Sequence, residues 1–234
     1  MKRRIYTSSI VLLTAAALLT GCGEKPNSGS TNTGNAANGT NNASSGSATD
    51  GSATEQTPKQ WASPPAMTID QDKQYKAEFH TSKGNFTIEL FAKDAPVTVN
   101  NFIFLAKEKF YEGVTFHRII QSFMIQGGDP TGTGGGGPGY AIKDELGSKH
   151  TYEPGTIAMA NAGPNTGGSQ FFICSGEDAA SLNSQPNYPI FGKVVEGMET
   201  INLIAATPVE QGSEATPSKP TEVVTINSIS ITEQ

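Results

Sequence analysis

The residues that could do chemistry in this chain fall in two short stretches. The first runs Phe116-His117-Arg118-Ile119-Ile120 and resumes as Phe123-Met124-Ile125-Gln126-Gly127-Gly128-Asp129. The second runs Met159-Ala160-Asn161-Ala162-Gly163-Pro164-Asn165-Thr166 and resumes as Gly168-Ser169-Gln170-Phe171-Phe172-Ile173. Hydrogen-bonding side chains alternate here with large apolar ones. Arg118 is charged at every working pH and holds its N–H groups in a rigid plane. Gln126 and Asn161 each carry donors and an acceptor on one amide. Taken singly, every one of these has an ordinary reading. An arginine beside a strand is usually solvated or paired, Phe123, Met124 and Phe172 would by default be core, and Gln126 and Asn161 would satisfy nearby backbone groups.

Several chemistries drop out. A hydrolase could be assembled from Ser169, His117 and an aspartate such as Asp129, but Gly167-Gly168-Ser169-Gln170-Phe171 lacks the second glycine of a nucleophile elbow. Two cysteines and three scattered histidines cannot supply the close-spaced ligands of a structural zinc site. Cys22 and Cys174 lie in regions too different to suggest a bridge, and Cys174, on an apolar strand, reads as buried filler. Gly132 to Gly139 matches a dinucleotide pattern by letters, but no strand precedes it and no helix opens after it. It reads as a mobile surface loop. The formal net charge is −6, and residues 1–21 hold Lys2, Arg3 and Arg4 and no acid, so the remainder carries −9. So acidic a chain is a poor partner for phosphate backbones, and no nucleic-acid site is expected.

The elements that must position these residues are mostly strands. Tyr75 to His80 and Asn85 to Leu90 flank the turn signal Thr81-Ser82-Lys83-Gly84, which predicts a hairpin. Phe86, Ile88 and Leu90 alternate with polar residues at the strand period. Pro96 opens a helix with Asp94 as its candidate cap, and Val99, Phe102, Leu105 and Ala106 share one face. Short strands follow at Val114 to Ile120, Phe123 to Gln126, Thr156 to Met159, Gln170 to Cys174 and Ile190 to Val195. A second helix covers Met198 to Ala206, and Val223 to Thr232 alternates as a last strand. Many short strands with two helices predict a mainly β fold, an antiparallel barrel with helical caps.

Ahead of this domain the chain changes character. Met1 to Gly21 has a basic start, an apolar stretch from Ile10 to Leu19 and a small-residue ending, the plan of a secretory signal. The apolar run is about ten residues, against about 20 for a spanning helix. Leu19-Thr20-Gly21-Cys22 resembles a bacterial lipobox. That resemblance implies cleavage before Cys22, attachment of diacylglycerol to its sulfur, and a membrane-anchored protein facing outside the cytoplasm. Residues 23–56 are rich in Gly, Ser, Asn, Thr and Ala and cannot offset their ordering entropy. About 35 such residues reach roughly 30–35 Å. The organisation is therefore a leader at 1–21, a lipidated Cys22 and flexible tether at 22–69, and a folded domain at 70–234. Trp61 and Pro64-Pro65 stiffen the approach to the domain, with the packing of Trp61 left open.

Over roughly residues 75 to 232 the chain resembles the cyclophilins. Phe116-His117-Arg118, Gln126-Gly127-Gly128-Asp129, Met159-Ala160-Asn161-Ala162, Phe191-Gly192-Lys193-Val194 and Glu196-Gly197-Met198 carry the resemblance, in that order. It implies a closed eight-stranded antiparallel β-barrel capped by two α-helices. It also implies a peptidyl-prolyl cis-trans isomerase that uses no cofactor and no metal. By resemblance Arg118 donates to the proline nitrogen, and Phe123, Met124, Phe172 and Leu182 line the ring pocket. Gln126 and Asn161 bind the peptide backbone, Ala160, Ala162 and Gln170 shape the groove, and His117 and Tyr188 stand at the rim. The partners implied are proline-containing polypeptides, here exported folding clients. Many eukaryotic members have tryptophan where this chain has Ser181, so cyclosporin is expected to bind weakly; many also have histidine where this chain has Tyr188. The alternative function is a proline-peptide-binding chaperone with little catalytic role; the retained Arg118 favours the enzyme.

The leader makes a prediction of its own. Cys22→Ser should move the protein from the membrane fraction to the soluble one. Intact-mass analysis of the native protein should find acyl mass on Cys22; a bare thiol there would contradict the reading.

Overall fold

A computed structural model describes residues 58–234. Cys22, the leader and most of the tether lie outside the described residues. Ten strands and two α-helices follow in chain order: β1 (Tyr75–Thr81), β2 (Gly84–Leu90), α1 (Pro96–Lys107), β3 (Arg118–Ile120), β4 (Met124–Gly127), β5 (Thr156–Met159), β6 (Phe171–Cys174), β7 (Ile190–Glu196), α2 (Met198–Ala205), β8 (Val209–Glu210), β9 (Lys219–Pro220) and β10 (Ile226–Glu233). A 3-10 helix at Glu177–Ser184 lies between β6 and β7.

Eight strands form one antiparallel sheet in the order β10-β1-β2-β7-β5-β6-β4-β3. The expected closed barrel is corrected in one respect: the ladder is a strongly curled, open sheet whose edge strands are β3 and β10. A single bridge, Thr115 to Thr225, spans the seam. Around it the Phe116 N–H donates to the Val224 carbonyl at 2.9 Å and the Ile226 N–H to the Val114 carbonyl at 2.8 Å. The predicted strand at Val114 to Ile120 is shorter for this reason, because its first half bonds across the seam.

The β1–β2 hairpin forms as the alternation requires, with Thr81 opposite Gly84 and only Ser82-Lys83 between. Phe79 and Phe86 pair across it and stack at 4.5 Å between centroids. With Phe102 of α1, Tyr111, Phe171 and Phe191 they form the aromatic centre of the core, all essentially inaccessible to water. Burying each such ring contributes on the order of 2–3 kcal/mol.

Helix α1 starts at Pro96 as expected, but Asp94 does not cap it. The residue before the helix is Ala95, and Asp94 instead accepts from Lys149 at 3.2 Å and His150 at 3.1 Å. The cap comes from a distant loop. Glu145 accepts the N–H groups of Val97 at 3.0 Å and Thr98 at 2.8 Å, and the Thr98 hydroxyl at 2.8 Å. A carboxylate there satisfies two orphan donors and faces the positive end of the helix dipole. Trp61, whose packing the sequence leaves open, sits edge-on against Phe104 at 5.2 Å, and its backbone N–H donates to the Pro138 carbonyl at 2.9 Å.

Glu145→Ala should therefore destabilise the domain by about 1–2 kcal/mol in chemical denaturation. Asp94→Ala should leave the α1 amides as protected from hydrogen exchange as in the wild type, since Asp94 makes no cap.

Candidate active site

Strand alternation builds the site. Along β3, β4 and β6, Ile119, Ile125, Phe171 and Ile173 point into the main core. Their neighbours point to the other face. There Arg118 stands opposite Gln126, Ile120 opposite Met124, Gln126 opposite Phe172, and Phe172 opposite Ala158. A guanidinium, an amide and a phenyl ring thus lie in one row across three strands. Met124, Phe172, Cys174, Ala158 and Tyr152 form a second, smaller core on this face, with Phe123, Leu182 and Tyr188 partly buried against it.

Above that row lies a cleft of about 650 Å³. It is lined by His117, Arg118, Phe123, Met124, Gln126, Ala160, Asn161, Phe172, Leu182 and Tyr188, all anticipated from the sequence. Ala162 and Gln170 line an adjoining hollow of about 320 Å³, which shares Gln126, Ala160 and Asn161 with the first. Cys174 is buried beneath, and burial pushes its thiol up to about 12, which leaves it protonated and inert. Ser169 is buried, with its hydroxyl donating to the Gly128 carbonyl at 2.7 Å, so it is no nucleophile. Ser181 is exposed and its hydroxyl bonds the Asp178 carbonyl at 2.7 Å.

A hydrogen-bonded chain crosses the floor. Arg118 Nη1 donates to Gln126 Oε1 at 3.3 Å and approaches Met124 Sδ at 3.5 Å. Gln126 Nε2 donates to Gln170 Oε1 at 3.0 Å, and Gln170 Nε2 donates to the carbonyls of Gly134 and Gly136, each at 2.9 Å. Asn161 Nδ2 donates to the Asn187 carbonyl at 2.9 Å. Burial holds the His117 imidazole below its usual range, against the opposing pull of Asp129, so the ring is neutral at pH 7. Neither His117 nitrogen has a hydrogen-bond partner among the described residues.

The glycine-rich loop, expected to be mobile, is instead a built wall. Asp129 accepts the Thr131 N–H and hydroxyl at 2.7 Å each, the Thr133 N–H at 3.0 Å and the Gly134 N–H at 2.6 Å. A Cβ at Gly136 would stand 2.0 Å from Asp129 Oδ1, so only glycine lets the loop close on the carboxylate. Burial raises the Asp129 carboxyl, but the hydrogen bonds from Thr131, Gly136 and Gly134 prevail and leave it below its usual range.

Other parts of the site carry no local signal in the sequence. The Tyr152 hydroxyl donates to the Tyr188 carbonyl at 2.6 Å and accepts its N–H at 3.1 Å, while Asn183 holds the Tyr152 backbone at 2.9 and 3.0 Å. This brace sets the wall that carries Leu182 and Tyr188. Gly212, Ser213, Glu214 and Ser218 of the β8–β9 connection and Lys219 of β9 also line the cleft. Two-residue strands give no periodicity to read, so nothing local announced them.

The model of the cyclophilin-type peptidyl-prolyl cis-trans isomerases matches residues 76–231. The chain belongs to this family. Its activity is peptidyl-prolyl cis-trans isomerisation. It is similar to a peptidyl-prolyl cis-trans isomerase of Helicobacter pylori, 48% identical over 131 residues, which covers 55% of this chain and 78% of the relative. It is likewise similar to peptidyl-prolyl cis-trans isomerase A of Mycobacterium tuberculosis, 43% identical over 173 residues, which covers 66% of this chain and 91% of the relative. Among solved structures it resembles a Cryptosporidium parvum cyclophilin-type isomerase crystallised in the presence of the dipeptide Ala-Pro. The TM-score is 0.61 at 36% identity, covering 68% of this chain and 99% of that one.

The loop wall can be tested apart from the chemistry. Asp129→Ala should cost about 1–3 kcal/mol of stability at neutral pH, with faster hydrogen exchange at Thr131, Thr133 and Gly134. Because the folded carboxyl titrates below its unfolded range, this contribution is present above that range and disappears as pH falls through the lowered folded value. The gap between variant and wild type should therefore close in acid.

Proposed function

We propose that this cyclophilin domain isomerises Xaa-Pro bonds of exported polypeptides by a non-covalent mechanism in which Arg118 stabilises the twisted amide. The barrier to the uncatalysed rotation is about 18–20 kcal/mol and the exchange takes tens of seconds or more. No bond breaks, so no nucleophile is needed. A catalyst has only to bind the twisted amide better than either planar form. In that state the proline nitrogen loses its resonance with the carbonyl and becomes an acceptor.

The observation that carries the reading is the placement of Arg118 Nη1 beside Met124 and Gln126, at the edge of an apolar pocket. In it Phe123, Met124, Phe172 and Leu182 would hold the proline ring. Gln126 and Asn161 would bind the flanking peptide backbone, Ala160, Ala162 and Gln170 would shape its path, and His117 and Tyr188 would stand at the rim. The client class rests on the basic and apolar leader and the Leu-Thr-Gly-Cys ending, which support a membrane-anchored domain working outside the cytoplasm. Cyclosporin would bind weakly, since Ser181 offers no indole ring or N–H donor.

Removing one preorganised donor costs on the order of 10²–10³ in rate. Arg118→Ala should lose that much exchange on a short Xaa-Pro peptide while peptide affinity changes far less. Arg118→Lys should also be poor, because an ammonium on a flexible stem lacks the planar fork. Exchange NMR with binding measured in parallel decides it. Near-wild-type exchange in Arg118→Ala would overturn the mechanism, and intact binding without exchange in the wild type would favour a chaperone that only holds peptides.

A further inference from the structure

Arg118 is held from two sides. Its Nη1 lies against Gln126 and Met124, whereas its Nε–H donates to Glu214 Oε1 at 2.6 Å and its Nη2 to Glu214 Oε2 at 2.9 Å. Two parallel bonds to one carboxylate fix the guanidinium plane as well as its place. Glu214 arrives on the strap between β8 and β9. That strap is stapled at its base, where Val209 pairs with Pro220 and Glu210 with Lys219, and Lys219 Nζ meets Glu210 Oε1 at 2.8 Å. It is also docked on the strand that carries the arginine, because the Ile119 N–H donates to the Ser218 carbonyl at 2.8 Å. Within the strap the Gln211 side chain donates to the Glu214 carbonyl. Carboxylate and guanidinium are thus referenced to the same backbone, one residue apart along β3.

We propose that Glu214 is a positioning residue for the isomerisation, fixing the guanidinium plane so that the Nη1 edge of Arg118 faces the proline pocket. This rests on the role proposed above for Arg118. The fork occupies Nε and Nη2, the edge away from Gln126 and Met124, and leaves the edge beside the pocket residues for the ligand. A long arginine side chain loses much rotamer freedom when it acts. With Glu214 in place that loss precedes substrate binding, so the gain appears in turnover rather than in affinity. The hydrogen bond from Arg118 holds the Glu214 carboxyl below its usual range, which keeps the fork charged through the neutral range.

The test compares the full chain with its Glu214→Ala, Glu214→Asp, Glu214→Gln and Arg118→Ala variants. Exchange NMR on an Xaa-Pro peptide gives kcat and KM, and ¹⁵N relaxation gives the order of the Arg118 Nε–H bond. Glu214→Ala should lose about tenfold in kcat with KM moved by less than about twofold, and the Arg118 Nε–H should become more mobile. Glu214→Asp, one methylene short of the fork, should not restore the rate. Glu214→Gln keeps one acceptor and should fall between. Unchanged or faster exchange in Glu214→Ala would overturn the proposal and make the carboxylate a latch that competes with the ligand. A slower rate with an unchanged Arg118 Nε–H order would overturn it too. Arg118→Ala separates the two claims. If it keeps wild-type exchange, the role of Arg118 fails; if it loses exchange while Glu214→Ala keeps it, only the positioning role fails.

Discussion

The cleft depends on how one guanidinium is held. Arg118 sits on a short edge strand, partly exposed, with four rotatable bonds between its backbone and its charge. Left alone it would sample many positions. Instead it belongs to a continuous chain of hydrogen bonds from Glu214 through Arg118, Gln126 and Gln170 to the carbonyls of Gly134 and Gly136. Asp129 anchors the far end by gathering the N–H groups of the same loop. Each member is oriented by the next, so the strap that carries Glu214, the Arg118 guanidinium at the pocket edge and the glycine-rich wall form one polar network. In partly buried surroundings such a network is rigid when fully satisfied and costly when broken.

The network can exist because the strands below it serve two cores at once. Alternation sends Ile119, Ile125 and Phe171 into the main aromatic core and Arg118, Gln126 and Phe172 to the opposite face. A slip of one residue in β4 against β6 would exchange the two sets and bury the polar groups. The large apolar core therefore does more than stabilise the domain. By fixing strand register it decides which side chains meet in the cleft. The brace from Tyr152 to Tyr188 and Asn183 gives the 3-10 segment, which has little core of its own, the same definition.

Much of this was legible in the chain. The β1–β2 hairpin announced itself through clean alternation and a turn signal, and helix α1 through Pro96 and its apolar face. Phe123, Met124, Gln126, Asn161 and Phe172 stood out only through the joint resemblance of their motifs to the cyclophilins, and the structure places them around one cleft. What failed to show was whatever depended on distant partners. Asp94 looks like a cap, but Lys149 and His150 occupy it, and Glu145 reaches the helix from 47 residues away. The glycine run looks mobile because nothing in it says that Gln170 will bond the Gly134 and Gly136 carbonyls from 36 and 34 residues away. Glu214 lies 96 residues beyond Arg118 on a strap with two-residue strands, and no local pattern distinguishes it from any solvated acid. Local periodicity carries elements; long-range polar contacts carry the finish of a site.

In the proposed mechanism the groove lowers the barrier to rotation without covalent chemistry and without strong preference for either planar isomer. The most direct measurement is lineshape and exchange NMR of one Xaa-Pro peptide titrated with the wild-type protein, fitted for the cis and trans affinities and the interconversion rate on the protein. The affinities for the two isomers should lie within about tenfold of each other, and interconversion on the protein should be orders of magnitude faster than the tens of seconds in water. Tight binding of one isomer with interconversion no faster than in free peptide would contradict it.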